Sequence, residues 1–353
     1  MKRNVTCYVP FNVTNPYTVN VKRILKESGF ECFPIKDILK NIKLFFQCRI
    51  YNFNWFERAE TYIQYIFKSI LLDFLKITGK KIIFTVHNKK PHESSKNDCS
   101  SKMMVKMCKS ADVILGMCPE TEDVILSVSP DSIKKIKYVL HPNYIENYKH
   151  VVPRNLREKF NFDSNDLVFL FIGALYPYKN IEMLIDIFKS MDIPNTKLLI
   201  AGRPCSDSYK EQLIERIGGS EKIGFDFRFI PDEDIPDYYN SADIVVMPYH
   251  KDSSLNSGVV YLSFSLKRTV ICPRIGTIKA LQDHSFVYEY DYNSEQEHCI
   301  NLKESILCAC NDYLCESDSL KKKGEDAYEY VSKIHSDRKI KKMYYDLYSE
   351  LIG

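Results

Sequence analysis

Residues able to hold a diphosphate recur in the second half of the chain. The apolar run Leu167–Ile172 leads into GALYPYKN and a second run ends in AGRP, so Gly173 and Gly202 are each followed by a cation, Lys179 and Arg203. Glycine lets the backbone approach a ligand closely, and two cations after neighbouring strands suit a group on which negative charge develops as it leaves. Further on, ADIVVMPYHKDSS runs into NSGVVYLSFSL. Asn256 and Ser257 stand where a helix would begin, with Gly258 just inside it. The unpaired N–H groups and positive dipole end of such a helix attract anions, although Ser257 would serve equally well as a plain cap.

The first half offers a different chemistry. There KIIFTVH runs into HNKKPHE, which places His87 at the end of an apolar run and His92 and Glu93 in the loop beyond it. Imidazole and carboxylate at such a place can deprotonate an acceptor hydroxyl or hydrogen-bond a sugar. His141, in HPNY, reads as structural. The group formed by His298, Cys299, Cys308, Cys310 and Cys315 has no zinc-like spacing and lies in a segment that reads as helix, so no metal is expected.

These residues need a scaffold that gathers the ends of strands. Short β-rich runs alternate with longer amphipathic ones, the pattern of a parallel α/β architecture. Strands are predicted at 4–9, 31–35, 81–87, 111–117 and 138–141, with helices at 18–28, 63–77 and 101–110. The helix over 63–77 carries Ile66, Ile70 and Phe74 on one side. A looser segment over 142–161 reads as a linker. From Leu167 the pattern restarts with five strand–helix steps, including a strand over FDFRFI, enough for a complete Rossmann-like domain. The last stretch, 321–351, is charged and helical. The fold class is therefore α/β, with two Rossmann-like domains facing across a cleft. An N-terminal domain spans 1–150, a second spans 151–330, and a helix over 331–353 packs back toward the first. Ligands of open parallel sheets bind beyond the carboxyl ends of the strands.

Charge is divided unevenly over the 353 residues. Residues 1–150 hold 24 Lys and Arg against 14 Asp and Glu, about +10, whereas 151–353 hold 25 against 32, about −7. A basic half can face lipid headgroups or a lipid-linked phosphate, and the stretch KDILKNIKLFFQCR over 36–49, which interleaves cations with Ile, Leu and Phe, could lie on a membrane surface. A nucleic-acid partner is not expected. Twelve scattered cysteines with no secretory leader before them suggest a reducing cytosol. No run approaches the ~20 apolar residues that span a bilayer.

The order YKN, IAGRP, FIPDED, ADIVVMPY, then SG opening a helix before TVICP, over about 167–273, resembles the C-terminal domain of family 4-type (group 1) glycosyltransferases, particularly bacterial polysaccharide-synthesis members. The resemblance implies the GT-B fold and a nucleotide-diphosphate sugar as donor substrate, UDP- or GDP-linked, with no separate cofactor. It implies that Lys179 and Arg203 grip the diphosphate, that Phe229 and Ile230 lie against the base, and that Ser257 and Gly258 cradle phosphates. HNKKPHE resembles a segment of the same subgroup, and Asn15, Pro16, Tyr17, Trp55 and Glu57 resemble further landmarks, with Asn15 and Tyr17 on the acceptor side. The acceptor would be a saccharide or lipid-linked glycan at the inner face of the cytoplasmic membrane. One departure stands out. The two glutamates that common members carry seven residues apart would fall near Ser254 or Leu255 and near Leu262 or Ser263, and none of these is acidic; Asp252 is the nearest carboxylate. Lys267, Arg268 and Thr269 also replace a usual Gly-x-Pro, a structural change. A nucleotide-sugar epimerase on the same fold, or an inactive sugar-nucleotide-binding partner, are the alternative readings.

Overall fold

The computed structural model describes residues 4–13, 15–89, 98–252 and 254–353. The chain forms two compact units, Met1–Pro142 with His335–Gly353, and Asn143–Ile334.

The first unit runs β1 (Asn4–Val9), α1 (Pro16–Glu27), β2 (Phe30–Phe33), α2 (Ile35–Lys40), α3 (Ile42–Gln47), β3 (Ile50–Asn54), α4 (Tyr62–Ile77), β4 (Lys81–Thr85), α5 (Ser100–Ser110), β5 (Val113–Gly116), α6 (Thr121–Val128) and β6 (Ile136–Tyr138). Its six described strands are parallel, in the order β2-β1-β3-β4-β5-β6. The sequence pattern missed β3, the strand between β1 and β4. Its run IYNFN breaks the apolar signal with two asparagines, yet every residue in it is buried. Both amides are satisfied: Asn52 Nδ2 donates to the Tyr348 hydroxyl at 2.9 Å, and Asn54 Nδ2 to the Val9 carbonyl at 3.1 Å. The stretch 36–49, expected to be one amphipathic segment, is instead two short helices leading into this strand. The side of α4 that carries Ile66, Ile70 and Phe74 is exposed, while Leu72 and Leu75 face the core.

The second unit runs α7 (Ile145–Tyr148), β7 (Leu167–Ile172), α8 (Ile181–Ser190), β8 (Thr196–Ala201), α9 (Asp207–Ile217), β9 (Ile223–Asp226), α10 (Ile235–Asn240), β10 (Ile244–Val246), α11 (Gly258–Ser265), β11 (Thr269–Pro273), α12 (Gly276–Lys279), β12 (Tyr288–Tyr290), α13 (Glu295–Cys315) and α14 (Ser319–Ile334). The strand order is β9-β8-β7-β10-β11-β12, all parallel, the Rossmann order. Strand β7 is buried along its whole length, which explains its unbroken apolar sequence.

Three boundaries depart from the sequence reading. Strand β9 ends at Asp226, so Phe229 and Ile230 lie beyond it rather than at its end. The segment read as a linker is already part of the second unit: Tyr144 and Tyr148 are buried in its core, and the Tyr144 amide donates to Ser265 Oγ at 2.9 Å. The terminal helical stretch is two helices, broken at His335 and Ser336. The second of them, α15 (Asp337–Ile352), places Tyr344 and Tyr348 in the core of the first unit beside Tyr8 and Phe30.

Candidate functional site

In the second unit the strand order reverses between β7 and β10, and the loops after these strands and β8 carry the cations singled out above. Two glycines bring the first two loops together. A Cβ on Gly202 would stand 1.8 Å from the Gly173 carbonyl oxygen, and both residues have positive φ, 147° and 126°. Only glycine satisfies that approach.

Lys179 follows from this packing. Its ammonium sits 5.2 Å from the Tyr249 ring centroid and 5.8 Å from that of Phe171, and Gly173 leaves the space beside it open. Among the described residues no carboxylate pairs with it. Burial lowers its pKa to about 8. A cation desolvated without a counter-charge is costly unless an anion arrives to share its site.

At the next loop, the Ser257 hydroxyl donates to Met247 Sδ at 3.9 Å. Ser257 is buried at the start of α11, but its side chain makes no cap bond; its amide donates to Thr277 Oγ1 at 2.8 Å instead. The plain capping role is thus absent, and Asn256 and Gly258 flank it partly buried.

Arg203 is exposed and lines a cavity of about 360 Å³ with Ser206, Lys210, Arg228 and Phe229. Lys210 and Arg203 add positive charge there, whereas Arg228 is held by Asp226 and Asp234. Phe229 presents a ring that is 64% exposed. Ile230, expected beside it at a base, is instead 8% exposed and belongs to the hydrophobic core. Lys210 and the Ser206 cap of α9 were missed, since nothing in their spacing distinguishes them from an ordinary helix start.

The positions where common relatives carry glutamates hold no carboxylate. Leu255 is buried, and Ser263 Oγ donates to the Val259 carbonyl at 2.7 Å. Asp252 is exposed. Lys267 adopts a left-handed φ of 57°, and its carbonyl packs against Gly324, where a Cβ would approach to 2.2 Å. The departure at 267–269 is thus a packing matter.

In the first unit the sheet order reverses at β1/β3, and the residues after these strands and β4 form an aromatic cluster. The His87 ring stacks on Trp55 at 3.9 Å and meets Tyr17 edge-on at 5.1 Å. Its Nε2 lies 3.0 Å from Asn54 Oδ1. Because Asn54 Nδ2 donates to Val9 and to Asn52, its oxygen is the acceptor, so Nε2 of His87 carries the proton and Nδ1 is left as an acceptor. Burial, then the neighbouring His141, lower the His87 pKa to about 3, which makes the ring neutral and a weak base. Asn15 caps α1, accepting from the Tyr17 amide at 2.9 Å, and Tyr17 is a core ring. His141 Nδ1 donates to the Pro142 carbonyl, and its own carbonyl accepts from His335. Glu57 is buried, with Oε2 lacking a hydrogen-bond partner and burial raising its pKa to about 7. His92 and Glu93 lie outside the described residues. Among the described residues no group of three His, Cys, Asp or Glu is placed to hold a metal, and His298 instead stacks on Tyr292 at 4.0 Å.

Two Rossmann-like units of these strand orders make this a GT-B fold. Solved structures of that fold superpose over nearly the whole chain. A protein of Anabaena crystallised with UDP and glucose has a TM-score of 0.73 at 13% identity and covers 98% of this chain and 99% of its own. The sucrose-phosphate synthase of Thermosynechococcus elongatus has a TM-score of 0.73 at 14% identity and covers 99% of both. Residues 153–255 match the family described as glycosyl transferases group 1. A GDP-mannose:glycolipid 4-beta-D-mannosyltransferase of Xanthomonas campestris pv. campestris is 21% identical over 231 residues, 64% of this chain. The chain spans 61% of the length of that relative. A mannosylfructose-phosphate synthase of Agrobacterium fabrum is 28% identical over 153 residues, 39% of this chain and 33% of its own.

Proposed function

We propose that this protein is a glycosyltransferase that moves a hexosyl group from a UDP- or GDP-sugar to a saccharide or lipid-linked acceptor in glycan synthesis. The observation that carries this reading is the desolvated Lys179 ammonium, unpaired among the described residues, at the point where the sheet order reverses. Lys179 and the start of α11 take up charge on the departing diphosphate, while Arg203 and Phe229 hold the nucleotide end in the adjoining cavity. His87 keeps a sugar hydroxyl oriented through its Nδ1 acceptor; a ring with so low a pKa does not suit proton abstraction. That task falls to His92 or Glu93. An acceptor on a lipid carrier brings the chain to the inner face of the cytoplasmic membrane, opposite anionic headgroups. The names of the Xanthomonas and Agrobacterium relatives favour a mannosyl donor, and the UDP and glucose of the Anabaena structure keep a glucosyl donor beside it.

The test combines a thermal-shift series with UDP, GDP and their hexose conjugates and a transfer assay. Wild type is expected to be stabilised by one nucleotide, and Lys179→Ala to lose about 10²–10³-fold in kcat/KM. Near wild-type turnover in Lys179→Ala and Arg203→Ala would remove the assignment. The missing carboxylates near Leu255 and Ser263 favour one second reading, a nucleotide-binding partner without catalysis. Nucleotide-induced stabilisation with no product from any acceptor would select it.

A further inference from the structure

Helix α4 turns its most apolar stripe away from its own core. Ile63, Ile66, Phe67, Ile70, Phe74 and Ile77 recur at helical spacing, and their exposures are 67, 39, 71, 61, 44 and 86%. Sixteen residues make a stripe about 24 Å long. Helix α3 extends it, since the Phe45 ring meets Phe74 at 5.6 Å, while Ile42 and Phe46 are 75% and 72% exposed. A patch of this extent on a polar molecule marks a docking surface.

Charge beside the patch identifies what docks. Lys36, Lys40 and Lys43 are exposed on α2 and α3 and have no ion pair among the described residues. The Lys80 ammonium lies 4.2 Å from the centroid of Phe45. The nearby carboxylates do not balance them: Asp73 is engaged by Lys106, which leaves Asp37 as the one acid of α2 and α3. Apolar stripe and unpaired lysines together match a bilayer interface, with acyl chains for the first and lipid phosphates for the second.

We propose that the α3–α4 face docks on an anionic lipid bilayer, with the α4 stripe in the headgroup–acyl boundary and Lys36, Lys40 and Lys43 at the phosphates. This rests on the peripheral membrane contact of the functional reading and not on the transfer chemistry.

Flotation of the full chain with vesicles tests it, using phosphatidylcholine alone and phosphatidylcholine mixed with phosphatidylglycerol. Wild type is expected to float with the mixed vesicles and to be released by high salt. Phe67→Ser with Ile70→Ser, and separately Lys40→Glu with Lys43→Glu, are expected to lower partitioning roughly tenfold or more while the melting temperature and nucleotide response stay at wild-type values. Equal partitioning onto phosphatidylcholine alone, or variants that float like wild type, overturns the proposal. So does a wild-type dimer that Phe67→Ser with Ile70→Ser dissociates while no vesicle binding is seen. A wild type that floats but ignores every nucleotide would sink the transferase reading and leave this one standing.

Discussion

Lys179 ties affinity to pH in a way that Arg203 does not. With its pKa lowered to about 8, Lys179 is a cation at neutral pH and loses its charge a little above it. Nucleotide affinity, followed by titration calorimetry, should therefore fall as pH rises through 8, and the dependence should vanish in Lys179→Met. The same group burdens the empty fold. Its folded pKa lies below the unfolded value, so the folded state binds fewer protons between pH 8 and 10.5, and stability from this residue rises with pH across that window. Lys179→Met is accordingly expected to melt higher than wild type at pH 7 and to gain less from nucleotide than wild type does. Glu57 has the opposite sign. Its raised pKa means the folded state holds a proton that the unfolded state releases, so stability falls as pH climbs from 4.5 through 7. Glu57→Gln should open a gap over wild type in that interval, on the order of 1–3 kcal/mol by pH 8 in denaturant titrations. The sequence offered Lys179 only as a cation after a Gly-ended apolar run; its desolvated seat against Phe171 and Tyr249 depends on packing that spacing does not reveal. Ile230 was misread because one residue's difference in register decides whether a side chain after a strand faces a cavity or the core.

At the scale of elements, the contact between the loops after β7 and β8 is the most sensitive joint. Gly202→Ala would drive a methyl onto the Gly173 carbonyl, so the two loops must part and Lys179 must lose its seat. The expected outcome is a protein that still folds but shows no nucleotide-induced rise in melting temperature. In the second unit β7, β8, β10 and β11 were readable because each is a largely apolar run closed by Gly or Pro, whereas β9 (IGFD) was read out of register and β12 (YEY), with a glutamate at its centre, gave no such signal. The first unit was harder. Strand β3 hides behind Asn52 and Asn54, whose burial depends on partners distant in sequence, Tyr348 and Val9. Periodicity found α4 but could not say which side faces inward, because the outward stripe is the more apolar one.

At the scale of the molecule, three buried histidines gather in the first unit. Burial lowers His87 and His141 to about 3 and His335 to about 4. Each is neutral when folded and takes a proton on unfolding below pH 6.5, so each removes stability as pH falls from 6.5 toward its folded value, by about 1.4 kcal/mol per pH unit. Melting temperature should drop from pH 6.5 to 4.5, most steeply for the transition reported by Trp55, and replacing His335 with Gln should flatten that slope by about a third.

The chain leaves the first unit at Pro142 and re-enters it at His335, whose Nδ1–H donates to the His141 carbonyl at 2.8 Å, so the way out and the way back are fastened together. The order of synthesis gives this threading a consequence. The second unit is one uninterrupted stretch and can close as soon as Ile334 clears the ribosome, whereas the β1–β6 sheet, complete in its strands long before, stands without Tyr344 and Tyr348 until α15 is made. The earlier-born half is thus the last to receive its full set of core residues.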